Sequence, residues 1–480
     1  MEYKKGLKNF SLEDLFSGDV FDPNSLKKPI KNMSFEEYFE QLFAFTSMLQ
    51  DGYISNDPPK VNEALSNIQI YFVENEKDQQ KIHELLCEKE TAKILFDLIR
   101  INPDSDGIDC NSLIIESHIV DLSFRTLFLF AQNMFFCEDL LKMNFFIHFK
   151  KLFNYYTPVA QAFVFYLLIE IITHAPPPVF NALLQSGIAD FAFKTLDDPL
   201  YFKNERLKLS IFYFLFNFIN HPLVNPDDKT VISFSQTLFG CFASSHPSQR
   251  SVLLQIYENL CGNYPQIALG FFCQEDTIMT FVRALNSSDD EVINSTLILF
   301  ITIASALNGD ISNLPLFEKI CSVIPWDKLL TMFCDSAPWK ENFLQLLNSF
   351  AVNEGTIGFL LGIFEGIIDK FNDFQFSLRT ECFKLLNNVV HKASGIQCLE
   401  LVKSSFLRVL FDLIELNEAE LSKVLCDTFD MLCNKVGSVE GMEIMVAEFN
   451  RCDGAEAISG IDEEDRFLQI CQFYGINVEN

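Results

Sequence analysis

The sequence predicts an all-α solenoid built from three-helix repeats, and three observations lead to this fold class. Apolar residues recur at helical spacing along most of the 480-residue chain. One helical pattern returns 129 residues later, which is three steps of 43, within the range of about 40–47 residues that two- and three-helix repeats use. The 19 glycines and 17 prolines are few beside 51 phenylalanines, which excludes disorder and a turn-rich β sandwich.

The net charge of the chain restricts the classes of molecule that it is expected to bind. The chain has 65 acidic and 36 basic side chains, a formal net charge of −29. Neutralising phosphates requires clustered Lys and Arg, so this balance argues against a nucleic-acid partner. An acidic surface favours a basic protein or peptide.

Cysteine usage and hydropathy predict the cellular compartment of the protein. The 14 cysteines are scattered without a CxxC pair, so we expect small core residues in a reducing compartment, with no metal site and no cofactor. No apolar stretch follows the N-terminal Met1. The longest apolar runs, within 296–307 and 357–368, span about twelve residues, against about 20 for a membrane helix. We therefore expect no signal peptide, no membrane association and a cytoplasmic protein.

The first residues are expected to differ from the rest. Residues 1–33 hold six lysines against five acidic residues and show no sustained periodicity, which predicts a flexible tail. Ser34 and Glu37 form a capping-box pattern that opens a helix to about Leu49. Residues 34–110 are expected to be N-terminal capping helices.

Two further helices are expected in that segment, near 60–73 and 77–101. Residues 111–480 are then expected to form the repeat array with a C-terminal cap.

Two stretches of the sequence, 276–306 and 405–432, define the repeat period. In both, apolar residues at i, i+3, i+4 and i+7 are followed by an acidic turn and a long apolar run. The matching residues are Ile278, Phe281, Val282 and Leu285 with Leu407, Leu410, Phe411 and Ile414. Gly187 and Gly454 are expected at turns from first to second helix. This pattern favours an armadillo-type right-handed superhelical solenoid over a HEAT-type one.

An asparagine recurs on the expected third helix of the repeats. The series is Asn217, Asn259, Asn348 and Asn387, with steps of 42, 89 (two repeats) and 39. A side-chain amide both donates and accepts, so it can hold the backbone of an extended peptide in a concave groove. The alternative is that each asparagine bonds a carbonyl in the adjacent turn and only closes the repeat.

Three other side chains belong to the predicted peptide-binding groove. Tyr213 and Phe383 lie four residues before an asparagine and offer rings to a lysine stem. Glu258 can pair with Lys or Arg, as can Glu170 and Glu381; all three acidic residues could equally be solvated surface. No catalytic motif of the HExxH, GxSxG, P-loop or GxGxxG kind occurs, so no catalytic residue is predicted.

With these asparagines, the glycine turns and the ending at 454–474, the sequence resembles the armadillo-repeat family and, within it, the importin-α group. The resemblance covers roughly 111–480. It implies a groove that binds a basic nuclear localisation peptide, with a Trp four residues before each groove Asn and a basic N-terminal arm. Here those four positions hold Tyr213, Gln255, Leu344 and Phe383, and residues 1–33 have a net charge of only +1.

The sequence thus leads to a first hypothesis, a non-catalytic armadillo adaptor that holds an extended, basic peptide. Its most specific form is an importin-α-like nuclear import receptor that shuttles to the nucleus. The alternative is a regulatory or cytoskeletal scaffold, or a chaperone-cofactor-like protein, that docks folded partners and uses its asparagines structurally. An enzyme is a third, less favoured class. The partner and the oligomeric state stay open.

Overall fold

The protein is described here from a computed structural model of the chain. The described residues are 34–71, 79–100, 117–201, 204–224, 228–245, 247–265, 270–271, 274–307, 314–352, 354–414, 419–459 and 463–478. They form 26 α-helices and three short 3₁₀ helices, with no strand in these ranges. The tail expected at 1–33 lies outside the described residues. The described chain divides into two compact units, residues 1–226 and 227–480.

The first unit contains eleven of these helices. They are α1 (Phe35–Ile54), α2 (Pro58–Tyr71), α3 (Gln79–Glu88), α4 (Thr91–Ile99), α5 (Ser117–Phe130), α6 (Met134–Lys142), α7 (Phe145–Leu152), α8 (Pro158–His174), α9 (Pro177–Gln185), α10 (Ile188–Asp197) and α11 (Glu205–Ile219).

The second unit contains the other fifteen. They are α12 (Asp228–Ser244), α13 (Pro247–Asn263), α14 (Glu275–Ala284), α15 (Asp290–Leu307), α16 (Leu314–Val323), α17 (Trp326–Met332), α18 (Lys340–Phe350), α19 (Glu354–Lys370), α20 (Phe376–Lys392), α21 (Gly395–Lys403), α22 (Phe406–Ile414), α23 (Ala419–Gly437), α24 (Met442–Arg451), α25 (Gly454–Ala457) and α26 (Glu464–Tyr474).

The third helices of successive repeats pack against one another within each unit. In the first unit this series is α2, α5, α8 and α11, and in the second it is α13, α15, α18, α20, α23 and α26. The two stretches that set the period, 276–306 and 405–432, both lie in a second helix followed by a third helix. The prediction of an all-α solenoid of helical repeats is confirmed.

The third helix α8 is apolar on almost every side because neighbouring helices cover it on both flanks. In α8, an unbroken run from Ala160 to Leu168 is buried, and the helix contacts both α5 and α11. Phe163 and Phe165 are fully buried and reach the rings of Phe128 and Phe214 on the flanking helices. The excess of phenylalanine therefore fills the core between repeats.

A left-handed residue separates the first from the second helix in five repeats. The five are Glu90 (φ 47°), Asn144 (φ 57°), Gly187 (φ 68°), Ser405 (φ 69°) and Asp453 (φ 50°). Only one is a glycine, the residue that adopts this conformation without strain. The prediction for Gly187 is confirmed, whereas the other four turns have no glycine to mark them.

The expectation for Gly454 is wrong by one residue. The left-handed residue is Asp453, and Gly454 begins the short helix α25. A Cβ at Gly454 would lie 2.6 Å from the Phe449 ring. Glycine is therefore required here for the close approach of α25 to α24 rather than for a turn.

The helices near the start of the described chain agree with one expectation and differ from another. The Ser34–Glu37 capping box is present, and its helix runs five residues beyond Leu49, to Ile54. The helix expected at 77–101 is wrong, because a left-handed Glu90 divides it into α3 and α4. Together with α5 these helices repeat the arrangement of α6–α8, and this group begins inside the segment 34–110 and ends beyond it. A boundary at 110 falls outside the described residues and stays a prediction.

Candidate functional site

Two of the four predicted asparagines bond their own helix. The Nδ2 of Asn217, on α11, donates to the carbonyl oxygen of Tyr213 at 2.8 Å. The Nδ2 of Asn259, on α13, donates to the carbonyl oxygen of Gln255 at 2.9 Å. Both amides bond a carbonyl one turn earlier in their own helix, so these bonds join no two helices. In each amide the oxygen and the second N–H are then left for a further partner.

The other two asparagines bond the next third helix. Asn388 Nδ2, on α20, donates to Asn348 Oδ1, on α18, at 3.1 Å. Thr428 Oγ1, on α23, donates to Asn387 Oδ1, on α20, at 2.6 Å. A further bond of the same kind joins Asn342 to Asn294 at 2.7 Å. Side-chain amides thus connect α15, α18, α20 and α23 in series along the second unit.

Asn348 and Asn388 lie at the centre of an exposed polar strip, which we call the amide strip. Exposed residues at i, i+3, i+4 or i+7 share one face of a helix, and the bond between the two asparagines brings one such face of α18 beside one of α20. The strip consists of Glu341, Gln345 and Asn348 on α18 and of Glu381, Lys384 and Asn388 on α20, all exposed. The Asn348 Nδ2 has no partner among the described residues.

The two rings of the predicted groove are buried. Tyr213 is 7 % exposed and Phe383 is 1 % exposed. Stacking on a lysine stem requires an accessible ring face, so the burial of these side chains speaks against that role. Sequence spacing placed them beside asparagines but did not reveal which face of the helix they occupy.

The acidic residues of the prediction differ in their partners. Glu170 lies 3.3 Å from His174, and Glu381 lies 2.7 Å from Lys384, both within one helix. Glu258, on α13, is half-buried, and desolvation raises the pKa of its carboxyl group. No charged neighbour among the described residues offsets this desolvation.

A second cluster, in the first unit, was not predicted. His83 Nε2 lies 2.9 Å from Asp139 Oδ2 and 3.3 Å from Cys87 Sγ, and Cys87 Sγ lies 3.6 Å from Asp139 Oδ2. These three side chains offer one donor atom each, all within 4.8 Å of one another. The spacing of His83 and Cys87, four residues on one helix, was a local signal for it. Asp139 is distant in sequence.

The ionisation of this cluster follows from its neighbours. Burial and the Asp139 charge raise the pKa of the Cys87 thiol. Partial burial of Asp139 opposes its ionisation, but hydrogen bonds from Lys142 and His83 outweigh it and lower the pKa of the carboxyl group. Asp139 is thus held as a carboxylate between two hydrogen-bond donors.

Among the helices that the structure describes, one, α15, is long and apolar enough to cross a membrane by length and composition alone. In the structure 61 % of it is buried, and it packs against α13 and α18. The same length and composition occur in the core helices of proteins that cross no membrane, and burial between neighbours is the environment of such a helix.

The structure is similar in fold to solved structures, although no sequence relative is found. No family model matches the sequence, and no curated protein matches it. An engineered protein solved by the Northeast Structural Genomics Consortium is similar in structure, with a TM-score of 0.57 and 14 % identity over 91 % of this chain and 99 % of that one. At this identity the likeness shows the fold alone.

Two weaker likenesses are to natural proteins. A Kap121p mutant has a TM-score of 0.43 and 11 % identity over 94 % of this chain and 42 % of its own. A structure from work on the interaction between cadherin and β-catenin has a TM-score of 0.48 and 12 % identity over 96 % of this chain and 93 % of its own. Scores in this range carry no argument about function.

Proposed function

We propose that this chain is a non-catalytic, protein-binding solenoid whose amide strip holds an extended, basic segment of another protein. The observation that carries the proposal is the hydrogen-bonded pair of exposed asparagines, Asn348 and Asn388, on neighbouring third helices. Each amide uses one group in that bond, and the Asn348 Nδ2 and the Asn388 Oδ1 remain to bond a peptide carbonyl and a peptide N–H. Such contacts hold a backbone without selecting its side chains.

Charge supports a basic partner. Residues 227–480 hold 35 Asp and Glu against 16 Lys and Arg, so this unit accounts for −19 of the net −29. Within the amide strip, Glu341 is exposed and has no ion pair among the described residues. A Lys or Arg side chain of the bound segment would pair with it, and attraction between the two surfaces would speed association.

The narrower form of the proposal is an importin-α-like receptor that works in the cytoplasm and shuttles to the nucleus. It would take basic localisation peptides as cargo, with no nucleic-acid or membrane partner. Because no tryptophan lies four residues before any asparagine of the series, cargo affinity would depend on backbone amide contacts and charge pairs more than on stacking. Within the second unit, Asn259, Asn387 and Glu258 would extend the contact along the third helices.

The test is fluorescence anisotropy of a labelled, extended Lys/Arg-rich peptide against the full chain at low and high salt. Replacing both amides, Asn348→Ala with Asn388→Ala, is expected to abolish or strongly weaken binding. Glu341→Gln is expected to weaken binding and to reduce its salt dependence, since one charge pair is lost.

The matched control is Asn450→Ala, an exposed asparagine on α24, which is not a third helix and should bind as the parent does. A peptide that fails to bind, or that binds the double variant equally well, would contradict the proposal. Binding of folded partners unaffected by the same substitutions would instead favour the scaffold alternative.

A further inference from the structure

Three donor atoms of different chemistry converge on one point in the first unit. Nitrogen from His83, sulfur from Cys87 and oxygen from Asp139 face one another at 2.9, 3.3 and 3.6 Å. We propose that these three side chains bind a single Zn²⁺ ion, with water as its fourth ligand. Imidazole, thiolate and carboxylate are the ligands that Zn²⁺ uses in proteins.

The distances between the donors agree with one face of a tetrahedron around zinc. With usual bond lengths of about 2.0–2.3 Å and tetrahedral angles, the N–O separation is about 3.3 Å, and the N–S and S–O separations are about 3.5 Å. The three observed distances lie within about 0.4 Å of these values. Rotations about the side-chain bonds are enough to close the difference.

The backbone places the three donors without strain. His83 and Cys87 are four residues apart on α3, so both project from one face of the helix, and Asp139 comes from α6, which packs against α3. The His83 ring contacts the Phe135 ring at 5.4 Å between centroids, which restricts its orientation. Since α3 and α6 are the first helices of adjacent repeats, the ion would join two repeats.

The same geometry argues against a Cys–His–Asp catalytic relay. In such a relay the nucleophile and the carboxylate bond opposite nitrogens of the imidazole ring. Here both Cys87 and Asp139 face the same nitrogen, Nε2. Convergence on one ring nitrogen suits a shared metal ion.

The charge of the ligands and the exposure of the site to solvent also agree with a bound Zn²⁺ ion. Cys87 gives its thiol proton to solvent on binding and then, with Asp139, supplies two negative charges to balance the ion. Lys142 Nζ lies 2.8 Å from Asp139 Oδ1 and competes with the ion for this carboxylate. Its side chain is 70 % exposed, so it can swing into water. Cys87 is exposed, which leaves an entry path and a position for the water ligand.

The experiment uses the full chain, stripped of metal by a chelator and titrated with Co²⁺ as a spectroscopic probe, then with Zn²⁺. A tetrahedral thiolate site gives an intense near-ultraviolet thiolate-to-metal band together with visible absorption. We expect one equivalent of Co²⁺ to develop both bands, and Zn²⁺ to displace it. Lys142→Met is expected to tighten binding severalfold because a competing cation is removed.

Cys87→Ser is expected to abolish the thiolate band, and Asp139→Asn to weaken binding. The matched control is Cys334→Ser, at another exposed cysteine, in the second unit, which should leave the titration unchanged. Far-ultraviolet circular dichroism shows whether each variant is folded. Absence of a thiolate band in the folded parent, its persistence in Cys87→Ser, or its loss in Cys334→Ser would overturn the proposal.

Discussion

Thr428 Oγ1, on α23, donates a 2.6 Å hydrogen bond to Asn387 Oδ1, on the neighbouring third helix α20. The threonine hydroxyl has a single proton, which it shares with the Val424 carbonyl oxygen at 2.7 Å, and its side chain is completely buried. An asparagine expected to contact a peptide therefore also connects two repeats of the protein itself.

Breaking this contact is expected to destabilise the second unit modestly. Asn387→Ala should cost about 0.5–1.5 kcal/mol, the usual net value of a hydrogen bond, because the Thr428 hydroxyl can then donate its proton to Val424 alone. The change is measured as a shift of the urea midpoint. In a double-mutant cycle with Thr428→Val the two losses should be less than additive; full additivity would show that the bond contributes nothing.

Phe383→Ala is expected to cost far more stability. The ring is 1 % exposed, and truncating a buried phenylalanine leaves a cavity worth about 3–5 kcal/mol. Thermal unfolding followed by circular dichroism measures the loss. The control is Phe376→Ala on the same helix, where the ring is 46 % exposed and a change within about 0.5 kcal/mol is expected. Equal effects at the two positions would contradict the assigned burial.

Substitutions at the left-handed turns should have opposite signs. Gly187→Ala adds a Cβ that meets nothing within 4 Å, so its cost of about 1 kcal/mol would be purely conformational. Glu90→Gly relieves the same strain at φ 47° and should gain up to about 1 kcal/mol. Chemical denaturation measures both. If Glu90→Gly were less stable than the parent, contacts of the glutamate side chain would contribute more to the free energy of unfolding than the backbone strain costs.

Stability should depend on the ionisation of Glu258. Because burial raises the pKa of this carboxyl group above its usual 4.5, the folded state favours the protonated form. The stability it contributes is full below the unfolded-state pKa and is lost as pH rises through the folded-state pKa. Glu258→Gln should therefore be more stable than the parent at neutral pH, and the difference should close below about pH 4.5.

Melting temperatures of the two proteins across this pH range measure the effect. Glu341→Gln is the matched control, since it removes one negative charge from an exposed position. If Glu258→Gln were less stable than the parent at neutral pH, the Glu258 carboxylate would take part in a stabilising ion pair and the prediction would be wrong.

Much of the fold was predictable because helix periodicity and burial are local and repetitive. The apolar set from Ile278 to Leu285 is buried throughout, as its spacing required. The turns were less predictable, since Asn144, Ser405 and Asp453 adopt a conformation that the sequence marks only at Gly187. Packing of the flanking helices imposes that strain, so no local signal announces it.

For the predicted peptide-binding groove, the sequence indicated which residue types lie on the third helices but not which way their side chains face. The asparagine series does lie on third helices, yet sequence could not tell Asn217, which bonds its own helix, from Asn348, which bonds the next. The same limit concealed the burial of Phe383. Spacing fixes a position along a helix, whereas the face that neighbours cover depends on how repeats stack.

The sequence by itself determined the helices, their period and the acidic charge, because each is a property of neighbouring residues or of composition. Only the tertiary structure decided which side chains meet across repeats. Asn348 meets Asn388, and Asp139 meets His83; the members of these pairs are 40 and 56 residues apart. Contacts at that separation form when helices stack to bury a shared core, and no local pattern encodes them.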